Sequence, residues 1–202
     1  MSFCVGLTGG IGCGKSAATA IFAELGAAIV DTDVISRELT GPAGAAMKAI
    51  SAAFGSAYIL PDGSLDRSRM RALVFSDPTQ KRALEAILHP LIRRVSREQI
   101  AAAQAPYVIL VVPLLVETGA YRDLLDRVLV IDCDERLQMS RTMARSGLSE
   151  EEVMRIMASQ ATRSDRLKSA DDVIVNDDGI DRLRVDVETL HQRYLHLGRK
   201  PA

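Results

Sequence analysis

The chain has 202 residues, 48 % apolar and 25 % charged, with a formal charge of −1 from 25 basic and 26 acidic side chains. This is the composition of a soluble globular protein long enough to bury a substantial core, and so even a balance argues against nucleic-acid binding driven by general phosphate neutralisation. The longest apolar run, Val108–Val116 with Pro113 inside it, falls far short of a membrane span, while Cys4, Cys13 and Cys133 are too few and too scattered for a disulfide framework or a zinc site.

In chain order, the first apolar run covers residues 3–8. It begins so close to Met1 that no room is left for the basic segment and cleavage site of a secretory signal, so a reducing cytoplasm is expected. Residues 9–16 then read Gly9-Gly10-Ile11-Gly12-Cys13-Gly14-Lys15-Ser16, a complete G-x-x-x-x-G-K-[ST] phosphate loop, and Ala18, Ile21, Phe22 and Leu25 follow at helical spacing. Strand, loop and helix in that order are the context the motif requires. Glycines let the main chain turn with its N–H groups inward and no side chain in the way of a phosphate. The helix starting near Lys15 presents its positive end to an anion. Lys15 then reaches the β- and γ-phosphates, and the Ser16 hydroxyl ligates Mg²⁺. Cys13 is read as a small filler residue. The expected ligand is a nucleoside triphosphate with its magnesium ion.

The second run, 27–31, ends in Asp31-Thr32-Asp33. In extended chain, residues two apart share a face, so both carboxylates would point into one cleft. One would accept the proton of an attacking hydroxyl and the other would hold a water of the magnesium shell, unless one merely caps a helix beginning near Val34. Residues 34–103 read as a helical insert. Asp77-Pro78 is an N-cap followed by proline at the first helical position, and Leu84, Ile87, Leu88, Leu91, Ile92 and Val95 form an apolar stripe. Pro90 falls within it, so a kink beside His89 is expected. Such an insert suits a second substrate.

The third run, 107–112, continues into Pro113-Leu114-Leu115-Val116-Glu117 with no Asp at its end, and the fourth covers 127–132. Residues 136–145 form a basic helix in which Arg141 and Arg145, four apart, share a face. Ser149-Glu150-Glu151-Glu152 is a capping box opening a further helix. After the fifth run, 172–176, the stripe Leu183, Val187, Leu190, Tyr194 and Leu197 marks a C-terminal helix packed on the core. Short Val- and Ile-rich runs alternating with helices predict an α/β protein with a five-stranded parallel sheet covered on both faces. Ligands sit at the carboxyl ends of such strands, which places Thr8, Asp31, Asp33, Pro113, Glu117, Asp132 and Asn176 near one rim.

A guanine-specific switch would need an Asn-Lys-x-Asp element, and the chain has none. The helical insert and the arginine-bearing segment suit a small-molecule kinase instead, since mobile arginine-bearing helices close over transferring phosphoryl groups. Several motifs in order then resemble the dephospho-coenzyme A kinases. They are residues 7–16, Asp31-Thr32-Asp33, Leu88-His89-Pro90-Leu91-Ile92, Val112-Pro113-Leu114-Leu115-Val116-Glu117, Gln160-Ala161-Thr162-Arg163 and Ala170-Asp171-Asp172-Val173-Ile174.

That resemblance covers nearly the whole chain and implies a phosphate-loop NTPase three-layer sandwich with an acceptor-binding insert and a lid. The core would be 1–33, 104–135 and 164–202, the insert 34–103, and the lid with its following helix 136–163. The implied reaction moves the ATP γ-phosphoryl to the ribose 3′-hydroxyl of dephospho-coenzyme A. By similarity Asp33 is the base, leaving Asp31 to the metal, and Thr8 and Lys15 stand beside the reacting phosphates. Arg141 clamps the phosphoryl group with help from Arg145, and Arg163 and Asn176 lie on the nucleotide side. Arg67, His89 and Glu117 line the acceptor pocket. Neither nucleic acid nor membrane is an expected partner. The chain departs from the family pattern at Cys13, where Ser is frequent, and at Ala17, where Thr is frequent. Neither position supplies a required side-chain donor.

Overall fold

The computed structural model describes residues 2–199. Five strands form one sheet: β1 (Phe3–Gly9), β2 (Ala28–Asp31), β3 (Tyr107–Val111), β4 (Arg127–Asp132) and β5 (Asp172–Val175), in the order β2-β3-β1-β4-β5. The β1–β3, β1–β4 and β4–β5 pairs are parallel. The helices are α1 (Lys15–Glu24), α2 (Thr32–Leu39), α3 (Met47–Phe54), α4 (Arg67–Ser76), α5 (Pro78–Ala102), α6 (Leu115–Thr118), α7 (Glu135–Ser146), α8 (Glu150–Ala158), α9 (Arg163–Lys168) and α10 (Ile180–Gly198). No helix among the described residues is long and apolar enough to cross a membrane.

Two compact units emerge. One runs to Val30 and resumes at Ile100, and the other is Asp31–Gln99. In the first, β3 is buried at every position and β1 and β4 at all but their first, as strands covered on both faces must be. Phe22 of α1, Tyr107 of β3 and Tyr194 of α10 meet beside the sheet, with ring centroids 5.6–6.4 Å apart. Beneath them Asp172 accepts from Arg127 at 2.7 Å, Arg193 at 2.6 Å and the Tyr194 hydroxyl at 3.0 Å, joining β4, β5 and α10. Buried His191 faces the Tyr107 hydroxyl at 2.8 Å. Helices α7 and α8 fall within this unit.

Local chemistry sets the helix starts. Ser149 and Glu152 make the reciprocal capping box of α8. Asp77 accepts from Thr79 N at 2.7 Å with Pro78 opening α5, and Asp134 and Thr162 cap α7 and α9. In the second unit α5 continues through Pro90 as one 25-residue element. Its apolar stripe is half-buried apart from fully covered Ile92.

Candidate active site

The phosphate loop leaves β1 at Gly9 and enters α1 at Lys15. Lys15 Nζ donates to the carbonyls of Gly9 at 2.7 Å and Gly10 at 2.9 Å, so the ammonium lies across the head of the loop. Ser16, in the first turn of α1, is exposed. Cys13 is completely buried and meets Cys133 Sγ at 3.2 Å. Donation to Cys13, reinforced by burial, pushes the Cys133 thiol well above its ordinary range. Cys13 is the filler its position suggested.

Protein groups grip the loop on both flanks. On one, Asn176 beyond β5 donates from Nδ2 to the Cys13 carbonyl at 2.8 Å, and its own carbonyl accepts from Arg141 at 2.8 Å. Arg141 and Asn176 line, with Gly12, Gly14, Ala17 and Ile180, a recess of about 220 Å³. Arg141, expected to clamp the transferring group, thus stands on the β5–α10 side of the loop. Arg145, one turn further along α7, is exposed.

On the other flank, Gln160 Oε1 accepts from the main-chain N–H of Ile11 at 3.1 Å. The same turn between α8 and α9 is fixed by Glu117, which accepts from Ala161 N at 2.7 Å. Buried Arg166 of α9 donates to the Ala161 carbonyl and packs against Gly10. Gly12 has φ +77° and lies directly under α7: a Cβ there would meet the Gln138 carbonyl at 2.5 Å and Thr142 Oγ1 at 2.7 Å. Only glycine combines that torsion with that approach.

Thr8, Arg163, Glu117 and Arg67 have partners within the protein, and the reading of Asp31 and Asp33 needs correction. Thr8 is fully buried and gives its hydroxyl to the Pro113 carbonyl at 3.2 Å, tying β1 to the end of β3. Arg163 is committed to Asp132, with Nε at 3.0 Å and a terminal nitrogen at 2.7 Å from carboxylate oxygens, and anchors α9 to the end of β4. Glu117 holds the α8–α9 turn. Asp31 and Asp33 do not share an extended face, because the helix starts at Thr32. Asp31 caps it, accepting from Asp33 N at 2.8 Å and Val34 N at 3.3 Å, while Asp33 is exposed in the first turn. In that second unit Arg67 donates to Thr40 Oγ1 at 2.7 Å and to the Arg37 carbonyl at 3.1 Å, closing the end of α2. His89 is exposed on α5.

Sequence reasoning missed Gln138, Thr142 and Arg166. The first two occupy the face of the basic helix that carries Arg141, and Arg166 follows Gln160 and Arg163 at intervals of three, so periodicity offered a signal in both cases.

The sequence pattern of the dephospho-CoA kinase family matches residues 3–182. A dephospho-CoA kinase from Nitrosomonas europaea is 56 % identical over 200 residues, covering 99 % of this chain and 98 % of that protein. Among solved structures, TT1252 from Thermus thermophilus superposes with a TM-score of 0.83 at 31 % identity, covering 95 % of this chain and 97 % of the other. A dephospho-CoA kinase from Campylobacter jejuni shares the fold, with a TM-score of 0.64 at 23 % identity over 95 % and 96 % of the two chains.

Proposed function

The chain belongs to the dephospho-CoA kinase family, and from that premise we propose how its residues move the γ-phosphoryl group of ATP onto the ribose 3′-hydroxyl of dephospho-CoA. The products are coenzyme A and ADP, and the reaction is the last step of coenzyme A synthesis.

One observation carries the reading: the phosphate loop is held on both flanks, by Asn176 at the Cys13 carbonyl and by the Gln160 turn at Ile11, with Lys15 across its head. Donors fixed beforehand need no reorganisation as charge develops, which is how electrostatic stabilisation outperforms water. The loop amides and Lys15 hold the β- and γ-phosphates, and the recess beside Arg141 and Asn176 takes the base. Arg145 stays available to the phosphates. Ser16 supplies the protein's oxygen for Mg²⁺. When bound, that ion neutralises charge on the β- and γ-oxygens.

Asp33 receives the proton of the acceptor hydroxyl, the role its motif implies. Asp31, spending one oxygen on the α2 cap, keeps the other for the magnesium shell. The helical unit Asp31–Gln99 takes the acceptor, with His89 exposed for contact and Arg67 shaping the end of α2. All three cysteines are free and buried, which suits the reducing cytoplasm.

The test is ADP release from Mg-ATP with dephospho-CoA, adenosine, AMP or no acceptor, with mass detection of product. Addition of one phosphate to dephospho-CoA alone is expected. Turnover with another acceptor in its place reassigns the helical unit. ADP release that no acceptor stimulates removes the kinase reading.

A further inference from the structure

Arg166 is 6 % exposed, yet no carboxylate pairs with it among the described residues. Its guanidinium donates to one main-chain carbonyl, that of Ala161. The nearby buried acid, Asp132, is taken by Arg163. A guanidinium keeps its charge when buried. A ligand carrying negative charge would supply the counter-charge that this guanidinium lacks.

Position says which ligand. A terminal nitrogen of Arg166 lies 3.0 Å from where a Cβ on Gly10 would stand, so the guanidinium presses on the loop residue whose carbonyl Lys15 Nζ reaches at 2.9 Å. Two cations thus converge on the Gly9–Gly10 end of the phosphate loop. Arg141 is on the opposite flank, held by Asn176, and Arg163 is neutralised. The turn that carries Arg166 is itself bolted to the loop, through Gln160 at Ile11 and Glu117 at Ala161. This guanidinium is held in place against the loop, where a group on a mobile surface helix would have to be recruited.

We propose that Arg166 is a catalytic residue that contacts the phosphoryl group in transfer, with Glu117 and Ala161 positioning it. The inference rests on the kinase reading above and names a residue for it. In the step, the bond from the acceptor oxygen to Pγ forms as the bond from Pγ to the β–γ bridging oxygen breaks. The bridging electron pair leaves with ADP, and the hydroxyl proton passes to a carboxylate. Negative charge grows on the bridging oxygen and spreads over the phosphoryl oxygens, which a fork of guanidinium donors matches.

The experiment compares wild type, Arg166→Ala and Arg166→Lys in the dephospho-CoA assay, with kcat and the KM of each substrate measured separately. Arg166→Ala should lower kcat by about 10³-fold, as loss of a phosphoryl-contacting arginine does, and added guanidinium chloride should restore part of it. Arg166→Lys keeps the charge and stem but loses the fork, so it should still fall at least about tenfold in kcat while melting like wild type. That variant decides the matter if the alanine form does not fold. A kcat near wild type in a folded variant overturns the proposal. So does a loss confined to the KM of dephospho-CoA, which would assign Arg166 to the acceptor's own phosphates. If wild type itself ignores dephospho-CoA, the kinase reading fails first and takes this role with it.

Discussion

Replacing Gly12 by Ala tests whether the phosphate loop and α7 are one packed unit. The added methyl faces two penalties. The first is torsional: φ is +77° at Gly12, a left-handed conformation that costs an L-residue about 1–2 kcal/mol. The second is steric. The new Cβ would lie 2.5 Å from the main-chain oxygen of Gln138, 3.1 Å from its Cα and 2.7 Å from Thr142 Oγ1. The first two are backbone atoms of α7 and cannot swing aside as a side-chain tip can, so overpacking adds about 1–3 kcal/mol. Together they predict a loss of about 2–5 kcal/mol, a large share of a typical domain's stability. Gly147 supplies the control, because its φ is +64° and a Cβ there meets nothing within 4 Å. Gly147→Ala should show the torsional part alone. Urea unfolding of both variants, with ADP affinity by calorimetry, separates the two. Gly12→Ala should be the less stable by about 1–3 kcal/mol and should lose ADP affinity, while Gly147→Ala keeps it. Equal midpoints and equal ADP affinity would refute the claim that α7 sets the shape of the loop.

Three further outcomes follow from charges in the fold. Burial pushes the Asp172 carboxyl up, but hydrogen bonds from Arg127 and Tyr194 and the charges of Arg127 and Arg193 more than offset it, leaving it below the usual carboxylate range. Its stabilisation is therefore present above the unfolded value near 3.9 and lost as pH falls through the lower folded value. Asp172→Ala should cost about 2–4 kcal/mol in urea unfolding at pH 7, below the full penalty for an orphaned buried charge because Arg193 is 53 % exposed. Burial lowers the pKa of His191, so the unfolded chain takes up its proton first and stability should decline as pH falls below about 6.5. In His191→Gln that decline should flatten, and an unchanged slope in melting temperature against pH would remove His191 as its source. EDTA should abolish ADP release by removing the magnesium ion that arrives with ATP, while leaving the melting temperature of the ligand-free protein unchanged.

The elements were legible where local chemistry decides them. β3 and β4 show as Val- and Ile-rich runs because strands covered on both faces have no polar side to interrupt the pattern. Asp77-Pro78 and Ser149-Glu150-Glu151-Glu152 start α5 and α8 because a cap and the amides it satisfies lie within four residues. The same scale explains the misreading at Asp31. The strand gives way to helix within one residue, and a two-residue alternation cannot show that its second member already has helical torsions. Side-chain roles set by long-range partners were not legible. Arg163 and Arg166 are three apart on one helix, and the 31-residue separation of Arg163 from Asp132 hides which of them is neutralised. Glu117 meets Ala161 across 44 positions and Arg67 meets Thr40 across 27. A motif can name such residues, but only the fold says what their charged ends touch.

The formal charge of −1 says nothing of where charge is left unmatched, and that distribution is what the reaction uses. Asp172 gathers Arg127 and Arg193 far from the loop, and Asp132 gathers Arg163 beside it. Around the loop itself, among the described residues, Arg141 and Arg166 bond only to main-chain carbonyls, those of Asn176 and Ala161. Carbonyls aim a guanidinium without cancelling its charge, whereas a carboxylate does both. A site built to receive several phosphate charges should orient its cations through neutral acceptors in this way and keep acids for anchoring its frame. An acid introduced at Ala161, next to Gln160 and the loop, would reverse that arrangement by neutralising Arg166. Ala161→Asp should then lower turnover far more than it lowers stability, whereas Ala161→Ser leaves turnover near wild type.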